Sequence, residues 1–504
     1  MYTFVISVLL LIIGYVFYGT LIDKVFGSDP NRKTPCFTSG DGVDYIPMPT
    51  WKVFLIQFLN IAGTGPIFGA IQGILFGPSA YIWIVLGCIF GGAVHDYMSG
   101  MISIRKNGAS LPEIVGDELG MSIRFVMRVL SLILMVLVGA VFVTTPAGLL
   151  ANICGGNAWF SQSIVWVIII FVYYILATLL PIDKLIGKIY PAFGVALLIM
   201  AVGVGFGIFA QGGVLPDITE AFSNHHPHSS IPLFPGICIT IACGAVSGFH
   251  ATQSPMMARC IQNEKYGRPI FYGAMITEGL VALIWAAAAI KFADAFDVSK
   301  FGMSGDVTPY EKLWAVMTNG GETGPNPAVV VNAICSSWLG TVGAILAVLG
   351  VVAAPITSGD TAFRCARLIA ADFMHYKQNK IYKRLILSVP IFVIAGVLMC
   401  IDFSILWRYF AWFNQTLSVF TLWAVTMWLY NSRGERKGFL RYGWLFTVVP
   451  ACWMTLICSS YIIMAPEGFG VNASTGVIGG VIFTACVVCT FVGRIARLQK
   501  EGKK

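Results

Sequence analysis

The chain has 504 residues, of which 57% are hydrophobic and only 11% are charged. A soluble globular protein carries roughly 25% charged residues, so this composition excludes an ordinary soluble enzyme or binding domain. The mean hydropathy of +0.79 instead indicates a protein that lies largely within a lipid bilayer.

Apolar runs recur along the whole chain, and each crossing of a bilayer needs about 20 such residues. No Lys or Arg precedes the first run, which favours a retained helix over a cleaved signal peptide. Thirteen membrane spans are predicted, at approximately 3–19, 53–76, 80–104, 124–148, 163–181, 189–210, 233–256, 269–291, 328–356, 385–400, 408–430, 442–464 and 475–495.

Positive charge alternates from loop to loop. Of the 32 Lys and Arg residues, 28 lie in every second loop, and the intervening loops hold only Lys291, Lys300, Lys312 and Arg408. Cytoplasmic loops carry the positive excess, so we expect a cytoplasmic (inner or plasma) membrane protein with its N-terminus outside and its C-terminus inside. The net charge of +8 therefore reflects the orientation of the chain in the membrane rather than binding to nucleic acid. The expected partner is the lipid bilayer. The sequence does not determine the oligomeric state.

Two spans are interrupted where a membrane helix should be continuous. The first break is Ile61–Pro66, and the second is Cys243–Pro255. Lipid cannot hydrogen-bond a freed peptide group, so such breaks persist only where they face protein or a wet cavity. A matched pair of breaks is typical of a transporter binding site. The alternative is a packing kink, since Gly and Pro are common in membrane helices.

The breaks divide the chain into two sets of five spans with opposite topology. This is the plan of an inverted repeat, whose discontinuous helices meet at the bilayer midplane. The predicted fold is an all-α polytopic membrane protein with broken helices two and seven. The predicted units are 1–50 (first helix and cytoplasmic loop), 51–210 (first repeat), 211–430 (second repeat) and 431–504 (two helices and a basic tail).

Polar groups in and near the two breaks form the predicted substrate site. Half-helix N-termini attract anions and C-terminal carbonyls attract cations, so freed backbone suits a small polar ligand. The histidine is alternatively neutral and bonded to a carbonyl, and the two amides of span eleven either pair with another helix or form a gate. The predicted substrate-binding residues are Gly63, Thr64, Gly65, Pro66, Gly244, Ser247, Gly248, His250, Thr252, Gln253, Ser254, Asn414 and Gln415.

Buried acids and a hydroxyl pair are predicted to handle a coupling cation, H⁺ or Na⁺. A charge at the bilayer centre costs at least roughly 2.5–3.5 kcal/mol, so such acids face the bundle interior and mark ion pathways. The alternatives are structural: Asp96 and Glu278 pair with other side chains, Asp360 pairs with Arg364 one turn later, and the hydroxyls satisfy carbonyls freed by Pro355. The predicted cation-coupling residues are His95, Asp96, Glu278, Thr357, Ser358 and Asp360.

Three histidines crowd one outward loop: His225, His226 and His228. Histidine clusters bind zinc and similar metals, which makes a metal site one interpretation of this loop. Pro227 interrupts the cluster, and solvated side chains are the alternative. Apart from a coupling ion, no cofactor is expected.

Seven stretches between about 40 and 430 carry a family resemblance: Asp41–Pro47, Ile61–Pro66, Gly92–Tyr97, Ala242–Ala251, Gly273–Glu278, Trp407–Phe410 and Asn414–Gln415. Together they resemble the carbon starvation protein (CstA) family, peptide transporters that include pyruvate uptake systems. The resemblance implies the LeuT-type five-plus-five fold of the amino acid–polyamine–organocation group. It also implies that Thr357 and Ser358 match that fold's paired sodium-site hydroxyls. Longer members carry His-His where this chain has Ile56-Gln57, a departure that bears on proton coupling.

The predicted function is a secondary-active transporter that imports short peptides or small carboxylates such as pyruvate by alternating access, coupled to H⁺ or Na⁺. The sequence contains neither a GxxxxGK[ST] nucleotide-binding motif nor an HExxH metalloprotease motif, so neither an ATP-driven pump nor an enzyme is predicted. The alternative is a membrane nutrient sensor that binds the same ligands and signals through a partner. The sequence has no evident soluble signalling domain, which favours transport.

Overall fold

A computed structural model describes residues 1–42, 44–154, 159–179, 182–228, 230–321, 324–378, 380–401 and 403–500. Within these ranges the regular structure is entirely helical, and no β-strand occurs. Backbone groups in lipid must be satisfied within their own segment, which a helix does and an open sheet does not. The all-α prediction is therefore confirmed for the described residues.

Among the described residues, the N-terminal half contains eight helices of at least eight residues, besides the short helical turn Pro35–Thr38: α1 (Tyr2–Phe26), α2 (Thr50–Ile61), α3 (Gly65–Phe76), α4 (Ser79–Arg105), α5 (Leu111–Leu119), α6 (Met121–Ile153), α7 (Ser163–Leu179) and α8 (Ile182–Ala210). The described part of the C-terminal half contains ten such helices: α9 (Leu233–Thr240), α10 (Gly248–Ala258), α11 (Glu264–Ala295), α12 (Pro309–Thr318), α13 (Pro327–Ala347), α14 (Ala353–Met374), α15 (Ile381–Leu398), α16 (Phe403–Asn431), α17 (Leu445–Met464) and α18 (Ala473–Lys500). The last two residues of predicted span 163–181 lie outside the described ranges.

Eight helices among the described residues are long and apolar enough to cross a bilayer, or nine if α2 and α3 form one bent span. The chain is therefore a multi-pass membrane protein. The count of thirteen stays a prediction, because the remaining helices are shorter or more polar than this criterion requires.

The predicted span 328–356 differs most from the structure. The chain bends at Gly340, which has φ +60°, and α13 then continues through a π-helical turn at Val348–Val352 into α14. Helix α14 reaches Met374 and carries polar side chains such as Thr361 and Arg367, all buried within the bundle. Buried polar groups lower the hydropathy of a segment without placing it in water. The predicted span therefore ends about 18 residues before the C-terminus of α14.

Two connecting segments contain short helices. The segment 106–120 contains α5, with Pro112 in its first turn. The long segment between α11 and α13 contains α12, whose N-terminus is a capping box in which Thr308 and Glu311 bond each other's backbone N–H.

Close packing of α6 against α14 forms one side of the core. A Cβ on Gly139 of α6 would lie 2.3 Å from the ring of Phe363 on α14, so only glycine permits this approach. Tyr174 of α7 donates from its hydroxyl to the carbonyls of Phe142 (2.8 Å) and Pro355 (3.2 Å), which ties three helices together.

Gly248→Val tests the close approach of α10 to α16. A Cβ at this position would lie 2.3 Å from the carbonyl oxygen of Asn414 and 2.5 Å from the backbone nitrogen of Ser418. Both are main-chain atoms that cannot rotate away, so overpacking should cost about 1–3 kcal/mol and lower the Tm of the purified protein. Gly396→Val in α15 is the control, because no atom lies within 4 Å of its Cβ position. Equal Tm values for both variants would contradict the packing.

Candidate functional site

The first break separates α2 from α3. Helix α2 ends at Ile61, α3 begins at Gly65, and the two axes differ by 46°. Ala62 leaves the helical region with ψ +51°, while Pro66, in the first turn of α3, has no N–H to be satisfied. The predicted interruption at Gly63–Pro66 is therefore present, and all four residues are buried.

The second break is longer than the first but does not match the predicted Cys243–Pro255, because Gly248–Pro255 is helical. Helix α9 ends at Thr240, α10 begins at Gly248, and the residues between them are not helical. Gly244 has φ +88°, a left-handed conformation that favours glycine, and Ser247 is extended. Every residue of the break is buried, so its main-chain groups depend on protein partners.

The two breaks are in direct contact. A Cβ on Gly65 would lie 2.5 Å from both Cβ and Sγ of Cys243, and one on Gly69 would lie 2.9 Å from the carbonyl oxygen of Thr240. On the other side, the Cβ position of Gly244 lies 3.7 Å from Cβ of Pro66. The interrupted segments therefore meet backbone to backbone, with glycine at the contact points.

Side chains from neighbouring helices satisfy the freed amides of the second break. Gly244 donates its N–H to Glu278 Oε1 of α11 at 3.1 Å. Phe249 donates its N–H to Asn414 Oδ1 of α16 at 2.6 Å, and the Ser247 hydroxyl donates to the same oxygen at 3.1 Å. Asn414 thus caps α10 in place of its N-cap residue Ser247, whose own side chain makes no capping bond, and Glu278 satisfies the break before it.

The carbonyls freed at the first break face α14. The hydroxyl of Ser358 donates to the carbonyl oxygens of Leu59 (3.1 Å) and Asn60 (3.2 Å). Its neighbour Thr357 instead donates to Ala354 of its own helix at 2.8 Å. The structure therefore brings one hydroxyl of the predicted pair to the break.

A buried chain of acids and histidines runs beside the second break. His95 Nδ1 lies 2.7 Å from Asp96 Oδ1, and Asp96 Oδ2 lies 2.9 Å from His250 Nδ1. His250 Nε2 in turn lies 3.5 Å from Glu278 Oε2. All four side chains have zero exposure to solvent, although they come from three helices. The structure thus joins the predicted substrate residue His250 to three of the predicted cation-coupling residues.

The remaining predicted polar residues are buried but serve mainly local contacts. Thr252 and Ser254 donate their hydroxyls to the carbonyls of Phe249 (2.6 Å) and His250 (3.0 Å) within α10. Gln415 donates to the carbonyl of Cys238 at 3.2 Å and so holds the end of α9. For Gln415, this contact matches the pairing with another helix that was the alternative to a gate.

Gln253 and Asp360 reach other helices. Gln253 Oε1 accepts a weak bond from Cys365 Sγ of α14 at 3.5 Å. Asp360 accepts a hydrogen bond from the hydroxyl of Tyr190 on α8. Arg364 was expected as an alternative partner of Asp360. In the structure its guanidinium pairs with Asp44, at 3.4 Å.

Sequence reasoning missed two amides on α2. Gln57 and Asn60 are completely buried, and among the described residues neither side chain has a hydrogen-bond partner. The hydroxyl of Thr64 in the first break is likewise buried without a hydrogen-bond partner among the described residues. Asn414 was predicted to be functional because an amide side chain in an apolar run is costly to bury. Gln57 and Asn60 also lie in an apolar run, so the same criterion would have identified both.

Asp44 closes the end of the bundle at which α2 begins. Its carboxylate lies 3.4 Å from Arg364 and 3.9 Å from Arg367, both buried on α14. Burial alone raises the pKa of Asp44, but the guanidinium groups of Arg364, Arg367 and Arg259 outweigh it, and the pKa lies below its ordinary value. Asp44 is therefore ionised at neutral pH and binds α14 to the loop before α2.

A cavity of about 280 Å³ lies at the opposite end of α3. Its lining includes Gln72 of α3, Thr240 at the end of α9, and Trp407 and Arg408 of α16. Arg408 is half-exposed and pairs with Glu467 at 3.0 Å. The cavity therefore approaches both broken helices from the end that Asp44 does not close.

The loop histidines lie at this same end of the bundle but pack against aromatic rings. The ring of His225 lies 4.7 Å from that of Tyr310, and the ring of His228 lies 4.6 Å from that of Trp314. Burial, together with nearby His228, lowers the pKa of His226 to about 4, so its imidazole is neutral at physiological pH. Metal binding by this loop stays a prediction.

A sequence model of the family "Carbon starvation protein CstA" matches residues 1–165 and 152–460. The chain belongs to the CstA family. It is 46% identical over 335 residues to an uncharacterized membrane protein of Haemophilus influenzae, covering 57% of this chain and 90% of that protein. It is 27% identical to the peptide transporter CstA of Campylobacter jejuni, covering 91% of this chain and 79% of that one.

Another relative of this CstA-family protein is the pyruvate/proton symporter BtsT of Escherichia coli, 29% identical over 345 residues. That match covers 56% of this chain and 48% of the symporter, about half of its length. Among solved structures, a mutant of the Eremococcus coleocola manganese transporter has a TM-score of 0.53 at 13% identity, with 90% of this chain and 97% of that chain covered. At this identity the likeness shows the fold alone.

Asp44→Asn should loosen the closed end of this CstA-family protein. The change removes the carboxylate that offsets the buried arginines, and breaking a buried pair costs about 3–5 kcal/mol. Cys260 is buried beneath this loop, with Sγ 3.9 Å from the carbonyl oxygen of Asp44, so it should react several-fold faster with N-ethylmaleimide. Mass spectrometry resolves each cysteine, and buried Cys458 on α17 serves as the internal control. Labelling of Cys260 at the wild-type rate would show that Asp44 does not hold this end closed.

Proposed function

We propose that the protein is a secondary-active transporter that imports short peptides or small carboxylates such as pyruvate, driven by a coupled cation. The observation that carries this proposal is the direct contact between two broken helices inside a buried polar network. Freed backbone is expensive in lipid and is retained where it binds a ligand or an ion. The names of the Campylobacter and Escherichia relatives support the same class of substrate.

The proposed architecture is a LeuT-type inverted repeat, with α2–α8 as one set and α9–α16 as the other. Two features support it: each set begins with its broken helix, and the fold is similar to a manganese transporter over 90% of the chain. The breaks would then lie near the midplane, and rocking of one set against the other would expose them alternately to each side.

The proposed substrate site lies at Gly63–Pro66 and Gly244–Ser254, with Asn414 and Gln415 beside it. The unpaired amides of Gln57 and Asn60 support this placement, because a buried amide without a partner costs free energy that a polar ligand would recover. Substrate would enter through the cavity beside Arg408, whose guanidinium suits a carboxylate.

The proposed coupling cation is Na⁺ or H⁺. A sodium site at Ser358 is supported by the two carbonyl oxygens that already converge on its hydroxyl. If the coupled cation is a proton, the buried acids Asp96, Glu278 and Asp360 are its proposed carriers, with His95 beside Asp96. Alternate basic loops support a cytoplasmic-membrane orientation in which Asp44 faces the cytoplasm and the Arg408 cavity faces outward.

Uptake by the purified protein in proteoliposomes tests the function. Labelled pyruvate and a labelled dipeptide are compared under an inward sodium gradient and, separately, an inward proton gradient. We expect one gradient to drive accumulation of one substrate class above its external concentration. If neither gradient drives accumulation of either substrate, the proposed transport is wrong.

Gly65→Leu should abolish this uptake. The added side chain would occupy the contact between the breaks, where even a Cβ lies 2.5 Å from Cys243. Gly396→Leu on α15 is the matched control, because its Cβ position is open. Size-exclusion profiles establish that both variants are folded. Normal uptake by folded Gly65→Leu would mean that the first break is only a packing kink.

Ser358→Ala should specifically weaken sodium dependence. An interaction with a charged group is worth about 1.5–3 kcal/mol, so the sodium concentration for half-maximal uptake should rise by about tenfold or more. Ser460→Ala removes a buried hydroxyl from α17, away from both breaks, and should leave sodium dependence unchanged. An unaltered sodium curve for Ser358→Ala would remove this residue from coupling.

A further inference from the structure

Three side chains of different chemistry converge where the second break meets α11. They are the thiol of Cys243, the imidazole of His250 and the carboxylate of Glu278, and all three are fully or almost fully buried. One ligand atom from each lies within 4.8 Å of the other two. Among the described residues, this is the one group of three His, Cys, Asp or Glu side chains that brings its ligand atoms so close.

Two of these ligand atoms lack a hydrogen-bond partner. Nε2 of His250 and Oε2 of Glu278 are buried and unsatisfied among the described residues, and they face each other at 3.5 Å. That separation is too long for a good hydrogen bond. Unsatisfied buried polar atoms are uncommon in proteins, and an ion between them is one of the recognised reasons for their presence.

The surrounding residues orient these ligand atoms as in a built metal site. Asp96 faces Nδ1 of His250 at 2.9 Å, which places a proton on Nδ1, so Nε2 is the ring nitrogen at which an ion can replace a proton. The N–H of Gly244 holds the other oxygen of Glu278 at 3.1 Å. A carboxylate behind a ligating histidine is the usual outer support of protein metal ions.

We propose that Cys243, His250 and Glu278 bind a divalent transition-metal ion of the borderline-soft class, of which Zn²⁺ is typical. One sulfur, one nitrogen and one carboxylate oxygen favour such an ion over Mg²⁺ or Ca²⁺, which prefer oxygen ligands alone. Three protein ligands leave one tetrahedral position for an outside ligand. The proposal goes beyond the transport function and does not rest on it, since binding is measured without a gradient or substrate.

Cobalt titration of the purified full-length protein tests the site, with any affinity tag removed. Co²⁺ bound to a thiolate gives a charge-transfer band in the near ultraviolet, and Zn²⁺ should displace it. Exposed Cys486 and Cys489 on α18 are a competing pair, so both are first changed to Ser. In this background we expect one Co²⁺ per protein, with loss of the band in Cys243→Ser and its retention in Cys458→Ser.

Asp96→Asn tests whether the three side chains form a supported metal site rather than a chance grouping of polar residues. Removing the support behind His250 should weaken Co²⁺ affinity roughly 10–100-fold while the thiolate band persists at saturation. Absence of the band in the Cys486→Ser/Cys489→Ser background, or an equal band in Cys243→Ser, would overturn the proposal.

If Cys243→Ser does not fold, X-ray absorption of the Zn²⁺-loaded Cys486→Ser/Cys489→Ser protein tests whether Cys243 is a ligand. We expect one sulfur at about 2.3 Å with nitrogen and oxygen neighbours. A zinc shell without sulfur would refute the site. Failure of uptake in proteoliposomes leaves these binding results unaffected, so the two proposals are tested separately.

Discussion

The structure depends on one constraint: main-chain groups freed inside the membrane must find partners in the protein. At the second break, Glu278 and Asn414 accept the N–H groups of Gly244 and Phe249, so two distant helices supply what a continuous helix would supply itself. At the first break, Ser358 does the same for carbonyl oxygens. The positions of α11, α14 and α16 therefore follow from the breaks.

This arrangement links charge to helix geometry. Glu278 contacts the backbone of the second break through one oxygen and faces His250 through the other. A cation or proton that changes the charge at this pair also changes the bond to Gly244, since both involve one carboxylate. A bilayer interior strengthens such effects because little water is present to screen them. In the proposed transport, the same atoms would hold the fold and respond to the ion, which would be the physical basis for coupling.

The sequence predicted both breaks because Gly and Pro stand out in an apolar run, and the first lies where it was expected. The second was placed too far along the chain: it covers residues 241–247, and Gly248–Pro255 is helical despite Pro255. The sequence also predicted the buried acids, since charge in a membrane helix is conspicuous. It did not predict α14 to its full length, because hydropathy cannot distinguish a polar residue that faces protein from one that faces water. The pairing of Asp44 with Arg364 joins positions 320 residues apart, and no local pattern encodes such a contact.

The two ends of the bundle differ in how they are closed. At one end, ionised Asp44 is surrounded by guanidinium groups of buried arginines, a contact that breaks only at considerable cost unless both partners gain water together. At the other end, a cavity bordered by Gln72 and Trp407 reaches α3 and α9, one half of each broken helix. In the proposed transport, this conformation would be the one that takes up substrate from the cavity end. Exit at the opposite end would require the Asp44 cluster to hydrate, and a ligand that drew α14 toward the first break through Ser358 would act directly on the helix that carries Arg364.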